Sequence, residues 1–95
     1  MEQDFLDEMI SESTERNPQF PQLMEEARQR RELLQMLAAL RIAAHITQGK
    51  VAQYVRTSQP AVARMEAGAV DPRLSSLQRY AASIGKRIEW HLVDA

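Results

Sequence analysis

Apolar positions recur at helical spacing in five stretches of the chain and at strand spacing in one. In residues 4–14 Phe5, Leu6, Met9 and Ile10 fall at i, i+1, i+4 and i+5 with acids on the other side, which predicts a short amphipathic helix. A helix that short is unstable alone and must dock on its own domain or on another protein. Asn17-Pro18-Gln19-Phe20-Pro21 interrupts the pattern, because two prolines three apart cannot both sit inside a helix, although Asn17 could cap one that starts at Pro18. From about residue 22 to 44 neither Pro nor Gly occurs and strong helix formers dominate. There Leu33, Leu37, Leu40 and Ala44 form a stripe that Leu34 and Met36 widen.

Residues 47–68 read as two short helices joined by a tight turn. Thr47 is the expected cap of the first, with Val51, Ala52 and Val55 facing inward. Ala52 is the small side chain that two steeply crossing helices need at their contact. Ser58 is the expected cap of the second, Pro60 sits where no backbone donor is missed, Val62 and Met65 point inward, and Gly68 ends the helix. That spacing is the one by which a helix-turn-helix unit lays its second helix in the major groove of DNA. After an Asp71-Pro72 turn, Ser75 or Ser76 is the expected cap of a last helix reaching Ile84, with Leu74, Leu77, Ala81 and Ile84 as its core stripe and Gly85 as its stop.

The tail has a different period. In residues 86–93 Ile88, Trp90 and Leu92 alternate with Arg87, Glu89 and His91, which predicts a β-strand. One strand leaves its backbone groups unpaired, and pairing with the same strand of a second copy across a two-fold axis is the simplest remedy. Trp90 would anchor such an interface.

Composition bounds this picture. Ninety-five residues make one domain, and 44% hydrophobic with 26% charged residues is an ordinary globular balance. There is no cysteine, which excludes a disulfide framework and a thiolate zinc site and fits a reducing cytoplasm. The acidic start, MEQDFLDEM, is unlike a signal peptide, and no apolar run is long enough to span a membrane. A cytoplasmic protein is expected. The net charge of −1 conceals an asymmetry: residues 1–26 carry eight acids against Arg16, whereas residues 27–95 carry eleven Lys or Arg against five acids. A basic body attracts DNA and an acidic arm is repelled by it, which suggests two partners.

The chemistry of the outward residues agrees. Gln59 can pair bidentately with adenine, Arg64 with guanine or else with a phosphate, and Pro60 or Ala63 can meet a thymine methyl. Gln48, Lys50 and Arg56 flank the groove and suit phosphate contacts, which hold register without reading bases. Catalytic constellations are absent: His45 and His91 are far apart, and no phosphate loop or metalloprotease motif occurs, so neither an enzyme nor a cofactor is expected.

The string Thr47-Gln48, Ala52, Ser58-Gln59, Val62, Arg64 and Glu66-x-Gly68 resembles the XRE family of helix-turn-helix regulators, which includes the lambdoid phage repressors and Cro proteins. The resemblance implies a pair between Arg41 and Glu66 bracing the first helix to the recognition helix, phosphate binding at Gln48, and base reading at Gln59 from the helix that Ser58 caps. Arg56 and His45 depart from the family by standing where glycine is usual, and Arg56 in the turn needs a backbone angle that glycine favours. An XRE domain followed by RIEWHLV, with Asn17-Pro18-x-Phe20, Leu74-x-x-Leu77-Gln78-Arg79-Tyr80-Ala81 and Ile88-Glu89, is most similar to HigA-type antitoxins, with HipB-type antitoxins next. That resemblance implies a homodimer that binds a palindromic double-stranded operator, represses its own operon, and neutralises a small RelE-like or HigB-like ribonuclease toxin. The acidic arm, with Phe5, Leu6, Met9 and Ile10 as apolar anchors, is the segment expected to cover a basic toxin. A stand-alone repressor of the phage type is the alternative.

The expected architecture is therefore mainly all-α: a five-helix, lambda-repressor-like helix-turn-helix domain with a C-terminal strand pairing across a dimer. Its parts are an acidic arm at 1–21, the domain at 22–85 and a dimerisation strand at 86–95, the last carrying Ile88, Trp90 and Leu92.

Overall fold

The computed structural model of the chain describes residues 19–95. Among them are four α-helices: α1 (Phe20–Ala43), α2 (Gln48–Val55), α3 (Gln59–Glu66) and α4 (Leu74–Ser83). The expected helix at 4–14, with Phe5, Leu6, Met9 and Ile10, lies outside the described residues, so the count seen is four rather than five. None of these helices is long and apolar enough to cross a membrane.

The chain divides between Arg30 and Arg31 into two units, and α1 runs through the division. The described part of the first unit is the opening of α1, where Pro21 lies in the first turn and costs no hydrogen bond. Pairs one turn apart support it locally: Arg28 is ion-paired with Glu25, and Gln22 donates to Glu26 at 3.2 Å.

The second unit, residues 31–95, holds the core. Leu34 and Leu37 of α1, Val51, Ala52 and Val55 of α2, Val62 and Met65 of α3, and Leu77, Tyr80, Ala81 and Ile84 of α4 (Ile84 as its cap) are buried together. The face that α1 turns inward differs from the expected stripe. Leu34 and Leu37 seal it, whereas Met36, Leu40 and Ala44 are exposed. The sequence LLQMLAAL offers several apolar seams at helical spacing, and the seam 34–37–41 wins because Arg41 must meet Glu66 on the same face. In α4 the seam is 77–80–81–84, so Tyr80 takes the place expected for Leu74, which is 52% exposed.

Each of the four helices gives way to a left-handed residue. Gly68 and Gly85 adopt φ of 74° and 70°, while His45 and Arg56 do the same at 59° and 65° without being glycine. After α3 the amide of Ala69 reaches Arg64 O at 3.0 Å and that of Gly68 reaches Met65 O at 3.0 Å. These paired bonds satisfy carbonyls that the helix end would leave open. Gly68 is also a close approach: a Cβ there would lie 2.7 Å from Cγ of Arg31.

Two expectations are corrected here. α4 begins at Leu74 with Arg73 as its cap and no side-chain cap bond, so neither Ser75 nor Ser76 caps it. Both serines sit inside the first turn because the chain turns helical directly after Pro72 and extended Arg73. The strand expected over 86–93 is not formed, and residues 86–95 carry no regular structure. A ladder needs a second strand, and the described chain offers none. Ile88 packs against the core, while Trp90, Leu92 and Val93 stay exposed at 53%, 102% and 86%.

Candidate nucleic-acid interface

The helix-turn-helix is set by two hydroxyl caps. Thr47 Oγ1 accepts from the amide of Lys50 at 3.1 Å, and Ser58 Oγ accepts from the amide of Ala61 at 3.2 Å. Each satisfies an orphan donor in the first turn, fixing where α2 and α3 start. Between them the left-handed Arg56 turns the chain, and the amide of Thr57 returns to Ala52 O at 3.0 Å. Ala52 is buried in the core that α2 shares with α3 and α4.

With Val62 and Met65 turned inward, α3 presents Gln59, Pro60 and Arg64 to solvent and Ala63 at half exposure. Lys50, Arg56 and Ser58 are exposed, and Gln48 at the start of α2 is half-buried. Gln59, Pro60, Ala63 and Arg64 thus share the outward side of α3, and Gln48 is joined to it by its hydrogen bond from Gln59.

Behind this face lies a polar network. Arg41 grips Glu66 with both arms, Nε to Oε2 at 2.7 Å and Nη2 to Oε1 at 3.0 Å, and sends Nη1 to Ile46 O at 2.9 Å. Tyr80, fully buried, donates its hydroxyl to Glu66 Oε2. Gln48 Nε2 donates to Glu66 Oε1 at 2.9 Å, and Gln59 Nε2 donates to Gln48 Oε1 at 2.7 Å. Burial raises the Glu66 pKa, but the hydrogen bonds from Arg41, Tyr80 and Gln48, with the Arg41 charge, outweigh it and hold the carboxyl below its ordinary range. The Tyr80 phenol is pushed up, first by burial and then by its bond to the Glu66 carboxylate. Arg41 is raised as well, by its hydrogen bond to Glu66.

Sequence reasoning reached Arg41 and Glu66 but not Tyr80, nor the link from Gln48 to Gln59. The signal for Tyr80 was its place one turn after Leu77 on the buried seam, where a phenol must find a partner. Among the described residues no group of three or more His, Asp or Glu is placed to hold a metal.

A family model described as Helix-turn-helix matches residues 37–91. The chain belongs to the helix-turn-helix family. Within it this helix-turn-helix protein is an XRE-type, HigA-like regulator. It is 37% identical over 79 residues to proteins named Antitoxin HigA1 from two Mycobacterium tuberculosis strains, CDC 1551 / Oshkosh and ATCC 25618 / H37Rv. The aligned part is 83% of this chain and 53% of each relative, so the chain spans about half the length of the curated relatives it matches. No solved structure matches it.

Proposed function

We propose that this helix-turn-helix protein is the antitoxin of a toxin–antitoxin pair, acting as a dimer that binds a palindromic operator, represses its own operon and neutralises a small ribonuclease toxin. The observation that carries the DNA half is the outer face of α3, where Gln59, Pro60, Ala63 and Arg64 are turned away from the buried Val62 and Met65. Gln59 and Arg64 supply base-edge hydrogen bonds, while Pro60 and Ala63 supply apolar contact. Gln48, Lys50, Arg56 and Ser58 hold the backbone. The similarity to proteins named Antitoxin HigA1 supports the toxin half. The acidic arm, through Phe5, Leu6, Met9 and Ile10, is the proposed toxin-binding segment.

Dimerisation runs through the tail in this proposal, with Trp90 and Leu92 meeting a second copy across a two-fold axis while Ile88 holds the tail to its own core. An uncovered indole beside Leu92 and Val93 supports it, because such side chains bury readily against a second copy. Two recognition helices about 34–36 Å apart would then read successive turns of one DNA face.

Footprinting of the DNA upstream of the gene tests the first half. Arg64→Ala is expected to cost about 1–3 kcal/mol and to relax specificity at its base, whereas Lys50→Ala should weaken all sequences alike. Unchanged footprints for Arg64→Ala and Gln59→Ala would remove α3 as the reader. Co-expression with the neighbouring reading frame tests the second half; neither a complex nor rescue of growth would leave a stand-alone repressor.

A further inference from the structure

We infer that Glu66 is a specificity-determining positioning residue: acting through Gln48, and held by Arg41 and Tyr80, it fixes which edge of the Gln59 amide is offered to a base. This rests on the proposal that α3 reads DNA. An ionised carboxylate only accepts hydrogen bonds, and its two oxygens offer about four sites. Here four donors fill them: Arg41 Nε at 2.7 Å and the Tyr80 hydroxyl on Oε2, Arg41 Nη2 at 3.0 Å and Gln48 Nε2 at 2.9 Å on Oε1.

The consequence passes outward by elimination. A glutamine amide has one donating and one accepting end of nearly the same shape, so either can face a neutral partner. Glu66 removes that freedom from Gln48, whose NH2 must face the carboxylate. The carbonyl of Gln48 is therefore turned away, and it accepts from Gln59 Nε2 at 2.7 Å. Gln59 has then committed one N–H and keeps its carbonyl oxygen and its other N–H. One acceptor beside one donor matches the N6 amino group and N7 of adenine, and mismatches the paired acceptors of guanine. The charge that decides this lies two side chains behind the exposed face of α3. Arg41 holds both carboxylate oxygens in one plane and Tyr80 closes the remaining site on Oε2, so Oε1 is the oxygen left for Gln48.

The test measures binding of the full chain to duplexes carrying every single-base substitution of the footprinted upstream segment. The wild type is expected to prefer adenine over guanine at one position by roughly 5- to 150-fold, the worth of one bidentate pair. Glu66→Gln, which can donate or accept, and Gln48→Leu, which cuts the link on the surface, should both reduce that ratio to below about twofold. Preferences at other positions should stay as they are in both variants, and the salt dependence, which counts phosphate contacts, should stay as it is in Glu66→Gln, whose side chain lies behind the exposed face. A merely structural role for Glu66 would instead weaken every duplex together. Thermal melts report folding of each variant; should Glu66→Gln fail to fold, Gln48→Leu decides. A folded variant that keeps the adenine preference overturns the inference. Wild type without preference at any position overturns the reading of α3 itself, while preferences that never involve Gln59 overturn this inference alone.

Discussion

At the scale of residues, the Arg41–Glu66–Tyr80 cluster ties three helices through one carboxylate, and that makes stability depend on pH from both sides. Glu66 has its folded pKa lowered, so its contribution is complete above the unfolded value of about 4.3 and is lost as pH falls through the folded value. Tyr80 has its folded pKa raised, so its contribution is complete below about 10 and is lost as pH rises toward the folded value. Denaturant unfolding across pH is expected to show both limbs. Tyr80→Phe keeps the buried ring, should abolish the alkaline limb and should cost about 1.5–3 kcal/mol at neutral pH, the usual worth of a hydrogen bond to a charged group. An alkaline limb that persists in Tyr80→Phe would assign it elsewhere. Arg41 and Glu66 were legible in the sequence because their spacing matches a family string. Tyr80 was not, because an aromatic ring on a buried helix seam reads first as core, and its hydroxyl partner comes from a helix remote in sequence.

At the scale of elements, the caps of α2 and α3 and the glycine stops were readable, whereas the start of α4 and the inward face of α1 were not. Hydroxyl caps at Thr47 and Ser58, and stops at Gly68 and Gly85, are local chemistry that a few adjacent residues decide. Which seam of α1 turns inward depends on Arg41 finding Glu66 25 residues later, so periodicity alone left it open. The same contrast makes Arg56 informative. It holds φ of 65°, a conformation that costs a non-glycine residue about 1–2 kcal/mol, in the turn before α3. Arg56→Gly relieves that strain, offset by the greater freedom of glycine in the unfolded chain. A net gain of about 0.5–1 kcal/mol is expected in denaturant unfolding. DNA binding should move the other way, with the slope of log affinity against log salt falling by about one as a phosphate contact is lost. Opposite signs in the two measurements would identify a residue kept for its partner at the expense of the fold. A slope that does not change would confine Arg56 to the turn.

At the scale of the whole molecule, the proposed function assigns to the two ends of the chain what the helix-turn-helix lacks, a dimer contact and a toxin contact. The alternation of Ile88, Trp90 and Leu92 reads as a strand, but the chain forms none there, and of the three only Ile88 is covered. Trp90→Ala with Leu92→Ala leaves Ile88 on the core, so it should give folded monomers by light scattering; a surviving dimer would move the interface elsewhere. The other end is an electrostatic question. Residues 1–16 carry six acids against Arg16, so removing them takes the chain from −1 to +4. Repulsion between that arm and DNA is long-ranged only at low ionic strength, since the Debye length is about 30 Å at 0.01 M salt and 8 Å at 0.15 M. Deletion should therefore tighten non-specific DNA binding at low salt and change it little at physiological salt. Toxin binding should respond differently, because the contacts proposed for Phe5, Leu6, Met9 and Ile10 are apolar and salt does not screen such contacts. Loss of toxin binding at both salt concentrations, with operator binding intact, is the expected outcome of titrating the shortened chain. If toxin affinity returned at high salt, the arm would act by charge alone, and if operator binding fell instead, the division of labour between arm and body would be reversed.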